Sequence, residues 1–505
     1  MNKFYTLLIL ALVGCSQPAY HSENPILTDS TASPAITATS VMDVENSFYD
    51  LKNISKRDEK NVSKLQRELK SRQCDDFCSI VPKRVVAPKK ISIISFSYKN
   101  LAKLQSQSVE LNQKSLKKIK SQDLVKNYEK FEANQSCPQN LTAAVLNKVD
   151  DASGEAGMNV YKKLYSQVAA CPVNQSLENT YLRSALIFYN FKQLPEAKLA
   201  ISKALEVKDP VDYARINYWA AVILQDPSYY KKVIDNRPYT YHAVVSAQKL
   251  NLSLWDIIKK RPQIDTVRKD DLLTKSVEKL LYFNHSDEAY TLITLNMDKL
   301  SSSELLYFTK LFNRHARVDV AIKLVSKIST LYPEKVNDQI ISLAYKTDFF
   351  DLFSKNSLAY NLDPYLLLSL SKQESGLFPK ARSKANARGL MQLMPATARL
   401  INKSKARDLY NVENNVYLGT KYFNTLFVSF NKVDQALAGY NAGPLNVKKW
   451  VGIYGYQDSL LFADLIPFKE TRTYVSSILR NHYFYNSIYA PMVPVVLPKA
   501  TVGKK

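Results

Sequence analysis

Apolar residues recur at helical spacing between residues 137 and 345, in runs that short polar turns separate. Small residues inside such runs let paired helices pack closely, and stacked pairs form a solenoid. Two registers are present: Ala185, Ala197 and Ala204 before Pro210, and more weakly Phe312 and Ala321 before Pro333. The pattern predicts a solenoid of helical hairpins over 137–345. Irregular helix packing with coincidental alanines is the alternative.

A second apolar run, over 363–376, has its own start and stop signals. Asp363 is a good N-cap and Pro364 suits the first helical position. Gly376 is a good helix stop. The leucines in between lie on three sides of the helix, so we predict that it is buried. The run delivers Glu374 near its last turn, and burial lets a carboxyl hold a proton at neutral pH and act as a general acid. A salt-bridged or surface glutamate is the alternative.

The composition favours helices over a glycine-rich β architecture. The chain has 505 residues, 46% of them hydrophobic, with 11 glycines and 32 tyrosines. This length predicts two or three domains, and we predict an all-α fold. The formal net charge of +23 favours anionic partners. No nucleic-acid-binding motif accompanies that charge, so nucleic acid is not a predicted partner.

The N-terminus has the pattern of an export signal. A short basic start precedes an apolar stretch over 4–13, which is too short to span a membrane. Residues 12–15, at the end of this stretch, resemble the lipobox of bacterial lipoproteins. The resemblance implies a signal peptide over 1–14 and a lipidated Cys15. Ser16 resembles the residue at this position in proteins sent to the outer membrane. An ordinary signal peptide cut near Ala19 is the alternative.

The remaining segments outside the solenoid differ in composition. Residues 15–45 are rich in Ser, Thr, Pro and Ala, which predicts a flexible tether. Residues 46–136 are charged and helical in pattern, with no function assigned. Residues 491–505 contain several prolines and a basic end, which predicts an irregular tail.

The cysteines of the exported part are even in number, which permits two disulfides. Local pairing is favoured, joining Cys74 to Cys78 and Cys137 to Cys171. A zinc site beginning at Cys74 is the alternative. No second cysteine or histidine cluster lies near it in the sequence, so no metal is predicted.

Three further segments follow the Glu374 helix, over 389–395, 439–444 and 466–475. Together with Glu374 and Ser375, in this order, they resemble the catalytic domain of the soluble lytic transglycosylases. That family belongs to the lysozyme-like superfamily and cleaves bacterial peptidoglycan. The resemblance implies a helical, lysozyme-like catalytic domain over 346–490 that follows a superhelical, tetratricopeptide-like solenoid. Because solenoid hairpins stack mainly on their neighbours, we expect residues 345–490 to fold alone.

The resemblance also implies a reaction with one protein carboxyl, where usual glycosidases use two. Glu374 would protonate the β-1,4 bond between N-acetylmuramic acid and N-acetylglucosamine. It would then accept the proton of the muramic C6 hydroxyl, which closes a 1,6-anhydro ring without water, metal or cofactor. A lysozyme-type hydrolase on the same scaffold is one alternative. A non-catalytic cell-wall-binding scaffold is the other.

The family's motif positions carry over to predicted substrate-binding residues, which are Ser383, Gln392, Met394, Tyr440, Asn441 and Glu470. Ordinary core packing is the alternative for Met394. A structural ion pair, with Arg472 as its partner, is the alternative for Glu470. The chain departs from the family at Asn386–Ala387–Arg388, where a Gly-Ala pair usually precedes the motif glycine. Asparagine tolerates a left-handed backbone, so the turn is expected to survive while the substrate rim changes.

The predicted partners follow from these two resemblances. They are peptidoglycan glycan strands, bound by the catalytic part, and outer-membrane lipid, bound through the N-terminal anchor. The corresponding location is the periplasmic face of an outer membrane. The peptides of peptidoglycan carry free carboxylates, so a basic cleft should attract this polymer. The sequence leaves protein partners unknown.

Overall fold

The computed structural model of the protein describes Leu104 and residues 107–127, 139–149 and 155–489. The predicted signal peptide, the tether and the C-terminal tail lie outside these residues. So do four of the cysteines, which are Cys15, Cys74, Cys78 and Cys137. Cys171 is described and is disulfide-bonded.

The described residues form α-helices without β-strands, which confirms the all-α prediction. The helices are α1 (Val109–Leu116), α2 (Ser121–Lys126), α3 (Gln139–Val149), α4 (Glu155–Ala169), α5 (Glu178–Asn190), α6 (Leu194–Leu205), α7 (Tyr213–Leu224), α8 (Ser228–Asn236), α9 (Tyr241–Lys249), α10 (Leu254–Lys259), α11 (Leu272–Tyr282), α12 (Ser286–Leu295), α13 (Ser302–Arg314), α14 (Val318–Leu331), α15 (Asp338–Ser342), α16 (Phe350–Leu358), α17 (Pro364–Ser375), α18 (Pro395–Ile401), α19 (Val412–Phe430), α20 (Val433–Ala442), α21 (Pro444–Tyr454), α22 (Ser459–Leu465) and α23 (Lys469–Tyr489). Short 3₁₀ helices lie at Gln175–Leu177, Met297–Lys299, Pro333–Lys335 and Lys405–Arg407.

By its contacts the chain divides into two compact units. Of the described residues, the first unit contains 259–356 and 370–419. The second unit contains the described residues up to 258, together with 357–369 and 420–489. The predicted boundary at residue 346 stays a prediction.

Neighbouring helices pack in sequence order within each unit, as in helical hairpins. In the second unit α5 packs on α6, and α6, α7, α8 and α9 follow pairwise. The small residues that predicted the close approach, Ala185, Ala197 and Ala204, are fully buried. In the first unit α13 packs on α14, and Phe312 and Ala321 are fully buried. The predicted packing of helix pairs is confirmed at both registers.

A buried ionic cluster joins α7, α9 and α22 within the second unit. Asp464 on α22 is 0% exposed. Its Oδ1 accepts from Arg215 Nε at 2.9 Å, and its Oδ2 accepts from Trp219 Nε1 at 2.6 Å. His242 Nε2 lies 2.8 Å from the same Oδ2. Burial alone would raise the pKa of Asp464, but the charges of Arg215 and His242 and the hydrogen bonds hold that pKa well below its usual range.

A second set of polar contacts lies beside this cluster, between α5 and the chain around α21 and α22. Arg183 donates to the carbonyl oxygen of Leu465 at 3.3 Å and to the Tyr454 hydroxyl at 3.0 Å. Asn190 donates through its side-chain amide to the Tyr454 carbonyl oxygen at 2.9 Å. Solenoid helices therefore supply the polar partners of α21 and α22 in the second unit.

None of the described helices is both long enough and apolar enough to cross a membrane.

Candidate active site

Helix α17 forms where the sequence predicts it, and for the predicted reasons. Asp363 Oδ1 accepts from the Tyr365 backbone N–H at 2.8 Å, which is an N-cap contact. The helix ends at Ser375, and Gly376 follows with a left-handed φ of +65°. Glu374 in the last turn is only 8% exposed. The leucines of the helix are all buried, at Leu366, Leu367, Leu368 and Leu370.

The N-terminus of α17 is also fixed by α23 within the second unit. Asp363 Oδ2 lies 2.6 Å from Nε2 of His482. Burial raises the pKa of Asp363, but the hydrogen bond and charge of His482 outweigh it and lower the pKa. Tyr365 stacks on Tyr485 with ring centroids 6.2 Å apart. The capping carboxylate therefore has both oxygens engaged.

The C-terminus of α17, next to Glu374, is hydrogen-bonded to the loop over 381–393, which contains the start of the motif segment 389–395. Ser375 Oγ donates to the Leu390 carbonyl oxygen at 2.8 Å, and Ser371 Oγ donates to the same oxygen at 3.1 Å. Both serines are buried. These contacts hold the loop over 381–393 against the turn that carries Glu374.

Two glycines let this loop approach α19 closely. Gly389 has φ +77°, and a Cβ there would lie 2.2 Å from Asn415 Nδ2 and 2.3 Å from the Leu409 carbonyl oxygen. A Cβ at Gly419 would lie 2.3 Å from Met391 Sδ. No side chain fits at either position without displacing its neighbours. Asn386 has φ +72°, so the turn survives the departure from the family as predicted.

Asn415, which the sequence analysis did not identify, holds the loop on α19. Its Oδ1 accepts from the Met391 backbone N–H at 2.8 Å. Its Nδ2 donates to the carbonyl oxygens of Arg388 at 2.9 Å and Leu409 at 2.8 Å. The side chain is 1% exposed. One amide thus fixes three backbone groups around the motif loop.

Replacing Asn415 with aspartate is expected to lower the free energy of unfolding by about 3 kcal/mol, because a carboxylate cannot donate to two buried carbonyl oxygens. Urea unfolding of the full chain measures this. Asn414→Asp is the matched control, since Asn414 Oδ1 only accepts a weak contact from Lys405 at 3.4 Å. Equal unfolding midpoints for the two variants would contradict the assigned role of Asn415.

The three other predicted residues of the first unit lie on or beside this loop. Gln392 Nε2 donates to the carbonyl oxygens of Gly389 at 2.9 Å and Ala381 at 3.1 Å, so its amide nitrogen shapes the loop. Ser383 Oγ accepts from the Ala387 backbone N–H at 3.0 Å. Met394 is 41% exposed, which disagrees with the core alternative. Substrate binding by these residues stays a prediction.

The second unit holds the remaining predicted residues near one end of α20. Tyr440 is half-buried and packs against Tyr422, with ring centroids 5.1 Å apart. Asn441 Oδ1 accepts from the Thr471 hydroxyl at 2.6 Å. Thr471 follows Glu470, which is exposed in the first turn of α23. The structure therefore brings Asn441 close to the chain that carries Glu470.

Arg472 does not form the ion pair with Glu470 that the alternative interpretation requires. It is buried, and its guanidinium donates to the Ile466 carbonyl oxygen at 2.6 Å. Burial and the positive charges of Arg215 and Arg183 lower the pKa of Arg472 to about 9. No ion pair joins Arg472 to Glu470 among the residues the structure describes, so Glu470 keeps an exposed carboxylate.

Asp434, on the helix that carries Tyr440, is another buried carboxyl that the sequence analysis missed. It is 2% exposed, and its Oδ2 has no hydrogen-bond partner within the described part of the chain. The Tyr456 hydroxyl lies 3.4 Å from Oδ1. Burial raises the pKa of Asp434 to about 6. At neutral pH the folded protein therefore holds a poorly solvated charge there.

Replacing Asp434 with asparagine is expected to stabilise the protein at pH 7 by on the order of 2–3 kcal/mol. The folded pKa lies above the unfolded one, so the wild type loses stability as pH rises from about 4 to about 6. The variant has no such loss. Unfolding midpoints measured at pH 4 and pH 7 test this: the two proteins should be similar at pH 4 and differ at pH 7. A difference between the two unfolding midpoints that is the same at pH 4 and pH 7 would contradict the raised pKa of Asp434.

Within the described residues, no group of three or more His, Cys, Asp or Glu side chains could hold a metal ion.

Comparisons with known proteins find a similarity over the part of the chain that contains Glu374. Residues 351–461 match the family described as "Transglycosylase SLT domain". Glu374 and the predicted substrate residues from Ser383 to Asn441 lie inside the matched range of the SLT domain, whereas Glu470 lies beyond its end.

Relatives extend the likeness beyond the SLT domain. The soluble lytic murein transglycosylase of Escherichia coli is 28% identical over 264 residues, which cover 48% of this chain and 38% of that protein. A putative soluble lytic murein transglycosylase of Haemophilus influenzae is 34% identical over 172 residues, covering 32% and 29%. The chain therefore matches under half the length of these relatives.

Two solved structures share the fold. The 70 kDa soluble lytic transglycosylase of Escherichia coli aligns with a TM-score of 0.58 at 18% identity, covering 78% of this chain and 66% of that one. Lytic transglycosylase Slt of Pseudomonas aeruginosa, solved as an inactive glutamate-to-glutamine mutant, aligns with a TM-score of 0.54 at 18% identity, covering 79% and 72%. The likeness agrees with the predicted solenoid followed by a lysozyme-like domain.

Proposed function

We propose that the protein is a peptidoglycan lytic transglycosylase. Its reaction cleaves the β-1,4 bond between N-acetylmuramic acid and N-acetylglucosamine and leaves a 1,6-anhydro-N-acetylmuramic acid end. The observation that carries the proposal is the position of Glu374. It is a nearly buried carboxyl at the last turn of α17, inside the SLT match, beside a loop held by Ser375.

Glu374 serves as acid and then as base in this proposal. Its proton goes to the glycosidic oxygen as the bond from the muramic C1 breaks. The resulting carboxylate takes the proton of the C6 hydroxyl of the same sugar, and that oxygen forms the new bond to C1. Substrate supplies the nucleophile, so the step needs one protein carboxyl. Low exposure of Glu374 supports the role, because desolvation favours the protonated acid.

We propose that the remaining predicted residues contact the sugars, each from its own unit. Met394 offers an exposed apolar surface at the start of α18, and Tyr440 offers a half-buried ring at the end of α20. Glu470 has an exposed carboxylate. Gln392 and Asn441 act mainly through the loop and helix contacts that they make.

Mass spectrometry of fragments released from purified sacculi tests the proposed function. Fragments ending in anhydro-muramic acid are the expected result. Reducing muramic acid ends would support a lysozyme-type hydrolase instead. Binding of sacculi without any released fragment would support the wall-binding scaffold and overturn the proposed activity.

The proposed location is the periplasmic face of an outer membrane, with Cys15 as the lipid-bearing residue. The support comes from the sequence over 12–15 alone. These residues lie outside the part of the chain that the structure describes. One myristoyl-length chain binds membranes only marginally, so a lipoprotein anchor with several acyl chains is implied.

Replacing Cys15 with serine is expected to abolish labelling by a fatty-acid probe in cells, because serine lacks the thiol that receives the lipid. The variant should also appear in the fraction that is released without detergent or remain unprocessed. Labelling that persists in the variant would reject Cys15 as the anchor.

A further inference from the structure

The surface that follows α17 in the first unit is strongly basic. Between residues 377 and 411 the basic residues are Lys380, Arg382, Lys384, Arg388, Arg399, Lys403, Lys405 and Arg407. Asp408 is the acidic residue of this stretch, and its Oδ1 accepts from the backbone N–H groups of Tyr410 and Asn411. Its carboxylate is therefore used in holding the backbone. The stretch has a large excess of positive charge that suits an anionic ligand.

Arg388 differs from the other basic residues because both its backbone and its side chain are fixed. Antiparallel bridges pair it with Arg382 on one side and Leu393 on the other. Its Nε donates to Asn386 Oδ1 at 3.2 Å, and its guanidinium lies 6.0 Å from the centre of the Tyr410 ring. These contacts orient a long side chain that would otherwise lose considerable entropy on binding.

The outer edge of the Arg388 guanidinium is available to a ligand. The side chain is half-buried, and among the described residues its two terminal nitrogens make no hydrogen bond and no carboxylate pairs with it. A guanidinium held in this way presents two parallel N–H donors, which match the two oxygens of a carboxylate.

Arg388 also lies close to the catalytic turn. The Leu390 carbonyl oxygen accepts from Ser375, the residue after Glu374. Consecutive Cα atoms are about 3.8 Å apart, so Arg388 is within about 8 Å of that contact along the backbone. The backbone of Arg388 therefore lies near the turn that carries Glu374.

We propose that Arg388 is a specificity-determining residue that binds a free carboxylate of the peptide stems on the glycan strand. The proposal rests on the proposed function, which supplies the substrate class. Arg388 lies in the segment over 386–388, where this chain departs from the family pattern. Asn386, at the left-handed position of the same segment, orients the guanidinium.

The test compares the ratio of kcat/KM on two substrates: glycan strands that carry peptide stems, and the same strands after an amidase has removed the stems and the lactyl carboxylates that it exposes have been amidated. Charge-assisted hydrogen bonds are the strong ones among protein hydrogen bonds, so Arg388→Gln is expected to lower this ratio about tenfold. Arg399→Gln is the matched control, because it removes the same charge from an exposed arginine. It should leave the ratio within about twofold.

A chemical arm tests the same inference with the unmodified protein. Amidation of the stem carboxylates should lower kcat/KM of the wild type about as much as Arg388→Gln does on native strands. An unchanged ratio in Arg388→Gln, an equal fall in Arg399→Gln, or wild-type indifference to amidation would each overturn the role of Arg388. Absence of anhydro products from every substrate would instead overturn the proposed function.

Discussion

Replacing Glu374 with glutamine is expected to lower the rate of glycan cleavage by about 10²–10⁴-fold, the usual contribution of one general acid or base. Glutamine keeps the size of the side chain but has no transferable proton. The loss should lie at the upper end of this range, because the same group serves in both halves of the reaction. The rate at which anhydro fragments appear from purified sacculi measures the effect.

Two variants make this result interpretable. Glu413→Gln is the matched control, since Glu413 is an exposed acid in the first turn of α19. This variant should cleave at the parental rate. Glu374→Asp keeps the proton but shortens the side chain by one methylene. A misplacement of this order typically costs about 10²-fold. Near-parental cleavage by Glu374→Gln would mean that another group protonates the bond.

The part of the site that the sequence predicts best is the part that local rules determine. The N-cap at Asp363, the stop at Gly376 and the burial of the leucines between them depend on residues within one helix. The left-handed turn at Asn386 uses a φ that asparagine tolerates, so it also follows from a local preference. Local propensity and periodicity are sufficient for such features.

The part that the sequence does not reveal depends on distant contacts. Asn415 contacts a loop 24 residues earlier, and nothing in its own helix signals that contact. The partners of Asp464 are 222, 245 and 249 residues away along the chain. Hydrophobic periodicity contains no information about such pairs.

The contacts of Asp464 also change the expectation that residues 345–490 fold alone. All three side chains that compensate its carboxylate come from helices α7 and α9, which precede that fragment. The Arg183 and Asn190 contacts to α21 and α22 would be lost as well. We therefore expect the fragment to be much less stable than the full chain, and activity is best measured on the full chain.

Replacing Asp464 with asparagine is expected to lower the free energy of unfolding by about 3–5 kcal/mol, the usual cost of removing one partner of a buried ion pair. Arg215, with its side chain 12% exposed, would lose its buried counter-charge. The asparagine amide would also place N–H donors against donors of Trp219 or Arg215. Asp348→Asn, at an exposed aspartate, is the control and should unfold like the wild type.

The pH dependence separates this role from that of a merely space-filling residue. The folded pKa of Asp464 is depressed, so its contribution is present above the unfolded pKa of about 3.9 and is lost as pH falls towards the folded value. The difference between wild type and Asp464→Asn should therefore narrow below about pH 4. Asp434→Asn has the opposite sign, since burial without a counter-charge makes that carboxylate unfavourable at pH 7. If both asparagine variants were destabilised equally at every pH, the contrast between a paired and an unpaired buried carboxylate would be wrong.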